Sequence, residues 1–172
     1  MNIRVAILTI SDRSATGERP DTSGPALVSA ILKQGWIVVE TRIVSDDIPA
    51  IQEALLSWCE SNAADIVLTT GGTGFAPRDV TPEATAGVIE RPTPGLTEAM
   101  RRASLEITPH AMLSRAAAGI RNRTLIVNLP GSPKGALENL GLILPILPHA
   151  VELLQENPAA EAHHGTVSTP GL

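Results

Sequence analysis

A glycine-rich turn followed by an arginine and an aspartate is the part of this chain best suited to chemistry. The run Thr70–Gly74 contains three glycines within four residues, and Arg78 and Asp79 follow it. The apolar residues 66–68 in front of it predict a buried strand. Backbone N–H groups at such a turn can point at phosphate, and a carboxylate just beyond could hold a metal ion. The pattern therefore predicts phosphate or nucleotide handling.

The same glycines have an alternative interpretation as a tight turn with positive φ angles. The sequence Gly-Gly-Thr-Gly is neither G-x-G-x-x-G nor a Walker A loop, so a Rossmann dinucleotide site or a P-loop is not supported. Thr81 and Pro82, further along, are typical of the cap and first position of a helix. The arginine and aspartate that follow the glycines favour an anion cradle over a plain turn.

Four further polar segments could contribute to the same site. Asp46 and Asp47 precede a predicted helix, and because a helix needs only one N-cap residue, one of the two is left for another role. Asp12 and Asp21 could bind a ligand or cap their own loops. The segment Leu129–Lys134 could be a plain turn into a helix, but its lysine near the helix start is unfavourable for the helix dipole and favours a ligand phosphate. Ser114-Arg115 could equally be part of a helix cap.

The apolar periodicity predicts alternating strands and helices with short connections. This alternation predicts a three-layer α/β/α sandwich with a mostly parallel sheet. Because ligands bind at the carboxyl ends of the strands in such sheets, the polar segments should meet at one rim. The predicted strands are 3–10, 36–44, 66–69 and 124–127. The predicted helices are 23–34, 46–62, 82–89, 95–107, a short one ending near Gly119, and 135–155, which is broken at Pro145 and Pro148. We expect a loop at 11–22 and a proline-rich link at 91–94.

Composition limits the partners of the chain. The formal net charge is −5 and no Lys/Arg run exceeds two residues, which argues against nucleic acid, since backbone binding needs clustered cations. No uninterrupted apolar run reaches the roughly 18 residues of a membrane span, and no signal peptide is recognisable. We therefore expect no membrane partner and a cytoplasmic location. Cys59 is the single cysteine, which excludes an intrachain disulfide.

Length and composition also predict the domain organisation. A chain of 172 residues with 43% hydrophobic residues is long and apolar enough for one domain with its own core. We expect that domain to span residues 1–155. Residues 156–172 are rich in alanine, glycine, histidine, threonine and proline, and we expect them to form a frayed tail.

Several motifs in the same order resemble a known family. The chain resembles the molybdopterin adenylyltransferases of the MogA/MoaB family, which are similar to the G domain of gephyrin. The resemblance covers roughly residues 3–155, and its specificity comes from the number of separate motifs. They are Ile7–Asp12, Asp21–Pro25, Thr70–Gly74, Pro77–Thr85, Pro94-Gly95, Met112–Ala116 and Asn128–Pro133.

The resemblance implies a fold and a reaction. The implied fold is the molybdopterin-binding, Rossmann-like α/β/α sandwich, assembled as a homotrimer. The implied reaction is the Mg²⁺-dependent transfer of AMP from ATP to the terminal phosphate of molybdopterin, with release of pyrophosphate. The adenylated product would pass to a molybdate-inserting protein. MoaB-type relatives share most of the motifs, so a non-catalytic molybdopterin-binding protein is the alternative.

The resemblance also implies roles for individual residues. Asp46 and Asp79 match the two functional aspartates of the family, and we expect them to act in catalysis and to hold Mg²⁺. The glycine turn matches the nucleotide and phosphate cradle. The positions matched to ligand binding are Ser11, Asp12, Gly71, Gly72, Thr73, Gly74, Ser114, Pro130, Gly131 and Ser132.

Overall fold

The protein is built on a six-stranded sheet, and the computed structural model describes residues 2–156. The strands are β1 (Arg4–Ile10), β2 (Ile37–Val44), β3 (Ile66–Thr70), β4 (Arg91–Pro92), β5 (Ala118–Arg121) and β6 (Thr124–Leu129). The helices are α1 (Asp12–Ala15), α2 (Ser23–Lys33), α3 (Ile48–Glu60), α4 (Thr81–Ala86), α5 (Pro94–Leu105), α6 (Pro133–Ile143) and α7 (Leu147–Leu154), with 3₁₀ helices at Pro109–Leu113 and Leu144–Ile146.

The strand order across the sheet is β2-β1-β3-β6-β5-β4. The first four strands run parallel, β5 is antiparallel to β6, and β4 is antiparallel to β5. The predicted α/β fold with a mostly parallel sheet is therefore confirmed. The parallel arrangement sends the loops after β1, β2, β3 and β6 to the same edge.

Alternating side chains of the central strands build a core on each face of the sheet. On β1, Val5 and Ile7 pack into one cluster and Ala6 and Leu8 into the other. Helices α2, α6 and α7 cover the first cluster, whereas α3 and α4 cover the second. Trp58 of α3 is 1% exposed and is the largest fully buried side chain. The strands are thus buried on both faces, which accounts for their continuous apolar sequences.

The antiparallel end of the sheet differs from the prediction. The expected short helix ending near Gly119 is wrong, because β5 runs through that position after the 3₁₀ helix Pro109–Leu113. Asn122, with φ of 51°, turns the chain back into β6. A Cβ on Gly119 would lie 2.9 Å from the Arg91 carbonyl oxygen, so this glycine lets β4 approach. Pairing between distant segments decides this region, and local periodicity does not reveal it.

Two smaller corrections concern helix starts. The predicted loop 11–22 contains α1, capped by the Ser11 side chain. Thr81 does not cap α4: Val80 occupies the N-cap position, and the Thr81 hydroxyl donates to the Gly71 carbonyl at 2.9 Å instead. The Thr81 side chain thus ties α4 to the turn after β3 instead of capping its own helix.

The C-terminal helical stretch Pro133–Leu154 is broken by a 3₁₀ helix at Leu144–Ile146, as its prolines predict. Among the described residues it is the one helical stretch whose length and composition would suit a membrane span, with 22 residues and hydropathy of 1.3. Its buried residues Leu140, Ile143 and Val151 pack in the first core cluster. It is therefore a core helix of the sandwich. The expected tail lies outside the described residues beyond Glu156.

Candidate functional site

The predicted site residues lie on the loops that follow β1, β2, β3 and β6, at the carboxyl edge of the sheet. Two hydrogen bonds between Asp12 and Asp46 join the first two of these loops. The other two loops approach closely, since a Cβ built on Gly131 would lie 3.1 Å from the Gly71 Cα. Ser114 reaches the same edge from elsewhere in the chain, after the 3₁₀ helix that follows α5. The tertiary fold thus brings distant polar segments together.

Backbone geometry makes the turn after β3 dependent on glycine. The φ angle is +105° at Gly71 and +62° at Gly72, in the region that side chains disfavour. A Cβ on Gly71 would lie 2.2 Å from the Ile10 carbonyl oxygen, and one on Gly72 would lie 2.4 Å from Thr81 Oγ1. The tight-turn interpretation of these glycines is therefore correct, and it leaves a second role for the amides that the turn exposes.

Several backbone N–H groups have no partner among the described residues along two neighbouring turns, Gly71–Gly74 and Pro130–Ser132, which we call the glycine wall. The Gly71 N–H is used internally, because it donates to the Leu129 carbonyl at 3.3 Å. In the described part of the chain, no hydrogen bond within the protein uses the N–H of Gly72, Thr73 or Gly74, nor those of the two non-proline residues in the second turn. Adjacent unpaired amides of this kind suit an anionic ligand. The Gly71 amide is not available to that cradle.

A cavity of about 300 Å³ lies on one side of the glycine wall, and we call it the carboxylate cavity. Four carboxylates and two guanidinium side chains line it. Three of these aspartates were predicted as site residues, and the predicted Ser11, Gly72 and Gly131 line the cavity with them. The charged lining residues are Asp12, Asp21, Asp46, Asp79, Arg13 and Arg19.

The carboxylates of Asp12 and Asp46 each accept a hydrogen bond from the backbone N–H of the other residue. Asp46 Oδ2 accepts the Asp12 N–H at 2.8 Å, and Asp12 Oδ1 accepts the Asp46 N–H at 3.0 Å. Burial raises the pKa of the half-buried Asp46 carboxyl, and the charges of Asp12 and Asp79 act in the same direction. Hydrogen bonds from Arg78 instead lower the pKa of the more exposed Asp12. Asp46 is therefore a carboxylate whose charge a cation would stabilise.

The structure decides which aspartate of the pair before α3 is the cap. Asp47 is the N-cap residue, and its side chain accepts the Ala50 N–H at 3.2 Å. Asp46 does not cap α3, and its carboxylate lines the carboxylate cavity. The choice that the sequence left open is therefore resolved in favour of Asp46 as the residue available for a ligand.

Asp79 lines the cavity and also shapes its own loop. Its Oδ2 atom accepts the Ala76 N–H at 2.9 Å. A Cβ on Gly74 would lie 2.8 Å from the same Oδ2 atom, so a larger residue there would displace this carboxylate. Oδ1 accepts no hydrogen bond from the described residues, so it is the oxygen left for a ligand.

The residues present fit a sparsely coordinated Mg²⁺. Within residues 2–156, no group of three or more His, Cys, Asp or Glu side chains could hold a metal ion alone. Asp46 and Asp79 nevertheless border one cavity, and the raised pKa of Asp46 marks a carboxylate charge that its surroundings do not balance. Mg²⁺ keeps several waters and takes one or two protein carboxylates together with substrate phosphates, so this donor set suits it.

A second cavity of about 300 Å³ lies on the other side of the glycine wall, and we call it the apolar cavity. Met100, Ile107 and Leu113 contribute apolar surface, while Ser104 and Asn139 contribute polar groups. Such a lining suits a largely flat organic group held by a few hydrogen bonds. The predicted site residues that line it are Thr73, Gly74, Ser114, Pro130 and Ser132.

The predicted serines also have structural roles. Ser11 Oγ accepts the Ser14 N–H at 3.3 Å, and Ser132 Oγ accepts the Gly135 N–H at 3.1 Å, so each caps a helix. Ser114 Oγ accepts a backbone N–H at 3.4 Å. Each hydroxyl keeps its own proton, which can still be donated to a ligand.

Arg115 is a structurally important residue of this region that the sequence left unassigned. Its Nε atom donates to the Gly74 carbonyl at 2.7 Å, and its other guanidinium nitrogens contact the Asp79 carbonyl and the Glu83 carboxylate. Its backbone N–H donates to the Thr73 carbonyl at 2.9 Å. Arg115 thus braces the whole loop from Thr73 to Asp79. Its place beside the predicted Ser114 was the available signal.

Three other polar residues have roles that the sequence did not determine. Asp21 is a cap, since its Oδ1 accepts the N–H groups of Ser23 and Gly24 at 3.0 Å. Arg78 forms an ion pair with Asp12. The Lys134 ammonium lies 3.9 Å from Glu138, outside the residues that line either cavity, so the expectation that it serves a ligand phosphate has no support from its position.

A parallel sheet between helix layers, with two cavities at the carboxyl ends of its strands, defines an open α/β protein of the ligand-binding type. Residues 6–149 match a family profile described as "Probable molybdopterin binding domain". The chain belongs to this molybdopterin-binding family, the MogA/MoaB family of molybdenum-cofactor biosynthesis.

Relatives with known names agree with the family. The chain is 42% identical over 157 residues to the molybdopterin adenylyltransferase of Helicobacter pylori, covering 90% of this chain and 89% of the relative. It is 47% identical over 164 residues to gephyrin of Dictyostelium discoideum, covering 90% of this chain. The match spans only 23% of gephyrin, so the chain corresponds to about a quarter of that longer protein.

Solved structures agree equally well with two branches of the family. The molybdopterin biosynthesis enzyme MoaB from Thermus thermophilus superposes with a TM-score of 0.85 at 49% identity, covering 91% of this chain and 98% of that one. A structure of MogA superposes with a TM-score of 0.82 at 38% identity, covering 88% and 99%. The fold is therefore common to both branches and does not separate them.

Proposed function

We propose that this protein transfers AMP from ATP to the terminal phosphate of molybdopterin, with Mg²⁺, and releases pyrophosphate. The observation that carries the proposal is the glycine wall, whose unpaired N–H groups stand between the carboxylate cavity and the apolar cavity. A transfer between two substrates requires their reacting groups to meet, and a wall shared by two cavities provides such a place. The names of relatives about 40% identical support the reaction.

In the proposed reaction, a terminal phosphate oxygen of molybdopterin attacks the α-phosphorus of ATP. The bond from that phosphorus to the oxygen bridging the β-phosphate breaks, and pyrophosphate leaves. The N–H groups of Gly72, Thr73 and Gly74 hold phosphate oxygens, while Asp46 and Asp79 orient the cation–nucleotide pair. Mg²⁺, held by Asp46 and Asp79 together with ATP, would supply neutralisation of the phosphate charge. These residues act by positioning and charge, because phosphoryl chemistry needs little covalent help.

The remaining predicted residues line the two cavities and act by binding. We propose that Ser11 and Asp12 contact the ligand on the carboxylate side, together with Gly131. Ser114, Pro130 and Ser132 border the apolar cavity and contact the ligand there. The apolar lining suits a ring system, whereas the carboxylate side suits a cation with phosphates.

The direct test is to incubate the protein with molybdopterin, Mg²⁺ and ATP labelled on its α-phosphate. We expect labelled, adenylated molybdopterin and one pyrophosphate for each product. Asp79→Asn should lower the rate by about 100-fold, since it removes a charge that faces the reacting phosphates. Glu98→Gln, on the exposed face of α5, is the control and should keep the rate. A wild-type rate in Asp79→Asn would show that this role is wrong.

A second candidate function is a molybdopterin-binding protein that does not transfer AMP. The superposition on the MoaB structure at 49% identity is the observation that favours it. In that case the labelled-ATP assay yields no adenylated pterin, although molybdopterin still binds. Fluorescence titration with molybdopterin, run beside the transfer assay, separates the two functions.

The family resemblance extends the proposal to assembly and pathway. We propose a homotrimer in the cytoplasm that passes its adenylated product to a molybdate-inserting protein. Light scattering after gel filtration measures the assembly, and a mass corresponding to one chain contradicts the trimer.

A further inference from the structure

Two arginines fix the loop that carries Asp79. Arg115 holds it through the Gly74 carbonyl and the Asp79 carbonyl. Arg78, which belongs to this loop, ties it to the loop after β1, because its Nε and Nη2 atoms donate to the two Asp12 carboxylate oxygens at 3.0 and 2.8 Å. The first arginine is accounted for as a brace of the loop, but the second has no role in the proposed reaction.

The Arg78–Asp12 pair has a geometry that stability alone does not explain. The Arg78 side chain is 63% exposed and that of Asp12 is 42% exposed. An ion pair so open to water contributes little to the stability of a fold. The pair is, however, bidentate, so it fixes the direction of the Asp12 carboxylate as well as its distance.

The contacts of the Asp12 carboxylate indicate a role for its fixed direction. The Asp12 carboxylate that Arg78 holds is the same group that accepts the Asp46 N–H, at 3.0 Å. The Asp46 carboxylate in return accepts the Asp12 N–H at 2.8 Å. Arg78 is itself the neighbour of Asp79 in the chain. One chain of contacts therefore runs from the loop after β3, through the loop after β1, to the loop after β2.

We propose that Arg78 is a positioning residue that sets the separation of Asp46 and Asp79 by clamping Asp12, and thereby sets the cation affinity of the carboxylate cavity. The inference rests on the proposed function for the cation, and it adds a residue and a role that the reaction itself does not require. Partners of this kind, which orient the ligands of a metal, change its affinity by about tenfold or more when they are removed.

The charge of Arg78 and its proposed positioning role predict opposite changes in cation binding when the side chain is removed. A guanidinium beside a cation site repels the cation, so if only its charge mattered, Arg78→Ala would strengthen cation binding. If Arg78 positions the carboxylates, Arg78→Ala weakens cation binding despite the loss of a positive charge. Arg78→Lys keeps the charge but loses the bidentate fork, so it should weaken binding as well. Arg19 lines the carboxylate cavity and forms no ion pair in the described residues, so Arg19→Ala is the control that removes a nearby positive charge without breaking such a contact.

The experiment measures Mn²⁺ binding by electron paramagnetic resonance of the free ion, with the full chain and without nucleotide. We expect Arg78→Ala to bind Mn²⁺ about tenfold more weakly than wild type and Arg19→Ala to bind it equally or more tightly. In the double variant with Asp12→Asn, the two losses should not add, because both changes break the same contact. Equal or tighter binding by Arg78→Ala overturns the proposal.

A second measurement keeps the result interpretable. Hydrogen exchange of the ligand-free protein should accelerate in peptides that contain the Asp12 and Asp46 amides in Arg78→Ala but not in Arg19→Ala. Unchanged exchange, or no Mn²⁺ binding by the wild type, also overturns the inference. The transfer assay decides the proposed function separately, since wild-type protein either adenylates molybdopterin or does not, whatever the variants bind.

Discussion

The two cavities beside the glycine wall have the same size but different chemistry. Each has a volume of about 300 Å³. Several aspartates, which carry the same charge, border the carboxylate cavity, whereas side chains such as Met100 and Leu113 border the apolar cavity. The comparison teaches that one short run of residues can border two environments, because Gly72 lines the carboxylate cavity while Thr73 and Gly74 line the apolar cavity.

The two cavities also differ in how they are held. The apolar cavity is walled by elements of the core, since Met100 is 3% exposed and Asn139 is 7% exposed. The carboxylate cavity is walled by loops that contact one another through hydrogen bonds among Asp12, Asp46 and Arg78. Changes at the shared wall should therefore affect both cavities, and changes on either side should affect one.

The largest effect is expected from a change at the wall itself. Gly72→Ala places a Cβ 2.4 Å from Thr81 Oγ1 and 3.0 Å from Asp46 Oδ1, at a φ of +62°. We expect a loss of at least about 2 kcal/mol in the free energy of unfolding, and loss of ligand binding in both cavities. Urea denaturation and substrate titrations measure these. Gly141→Ala is the control: it lies within α6 with open space around its Cβ, so it should change stability by about 1 kcal/mol or less.

The next largest effect is expected from removing one negative charge that lines the carboxylate cavity. Asp46→Asn should lower AMP transfer by about 100-fold, since it removes a charge that faces the phosphates while keeping the shape of the side chain. Asp47→Asn is the matched variant one residue away. Because asparagine also caps helices, the change should leave both stability and transfer close to wild type. Comparable losses in the two variants would contradict the separation of roles.

A smaller effect is expected from filling the apolar cavity. Ala111→Trp places an indole at a residue that lines that cavity, so we expect the affinity for one substrate to fall about tenfold or more while the other is unchanged. Separate titrations with molybdopterin and with a non-hydrolysable ATP analogue identify which substrate it is. Ala99→Trp, on the exposed surface of α5 outside both cavities, should change neither affinity. Loss of both affinities in Ala111→Trp would mean that the two cavities are not independent.

The smallest effect concerns pH. The pKa of Asp46 is raised by burial, so the folded protein holds this proton more tightly than the unfolded chain does. The stabilisation from this bound proton is fully present at pH values below the ordinary aspartate pKa. It is lost as pH rises through the raised pKa of Asp46 in the folded protein. Denaturation curves from pH 3 to pH 7 should show wild type losing stability relative to Asp46→Asn over that window. Added Mg²⁺ should reduce the loss of stability that wild type shows at pH 7. If wild type without Mg²⁺ instead gains stability relative to Asp46→Asn as pH rises, the prediction is contradicted.

Much of the fold was predictable because its signals are local. The buried strands β1, β3 and β6 are continuous apolar runs, and Gly35, with φ of +72°, ends the region of α2 as its position in the sequence predicts. The strand β5 was not predictable in this way. It exists because it pairs with β6 and with β4, which are separate segments of the chain.

The candidate site divides in the same manner. Residue type and spacing predicted the Asp46–Asp47 pair, Asp79 and the two turns as candidates, because glycine after a strand and carboxylates beyond those a cap needs are visible in a sequence. The choice of Asp46 came from the family resemblance. The roles of Arg115 and Arg78 were not visible, since each arginine acts on a partner far away in the chain: Gly74 is 41 residues from Arg115, and Asp12 is 66 residues from Arg78.

By itself, the sequence determined the four parallel strands and the main helices around them, the family to which the chain belongs, and the glycines that a tight turn after β3 requires. Only the tertiary structure decided that Asp47 caps α3 while Asp46 faces a cavity, that the Gly71 amide is already used, and that one wall separates two cavities. The physical reason is the range of the interactions. Strand and turn preferences depend on neighbouring residues, whereas a cavity, a shifted pKa and a clamp depend on groups that meet only when the sheet has assembled.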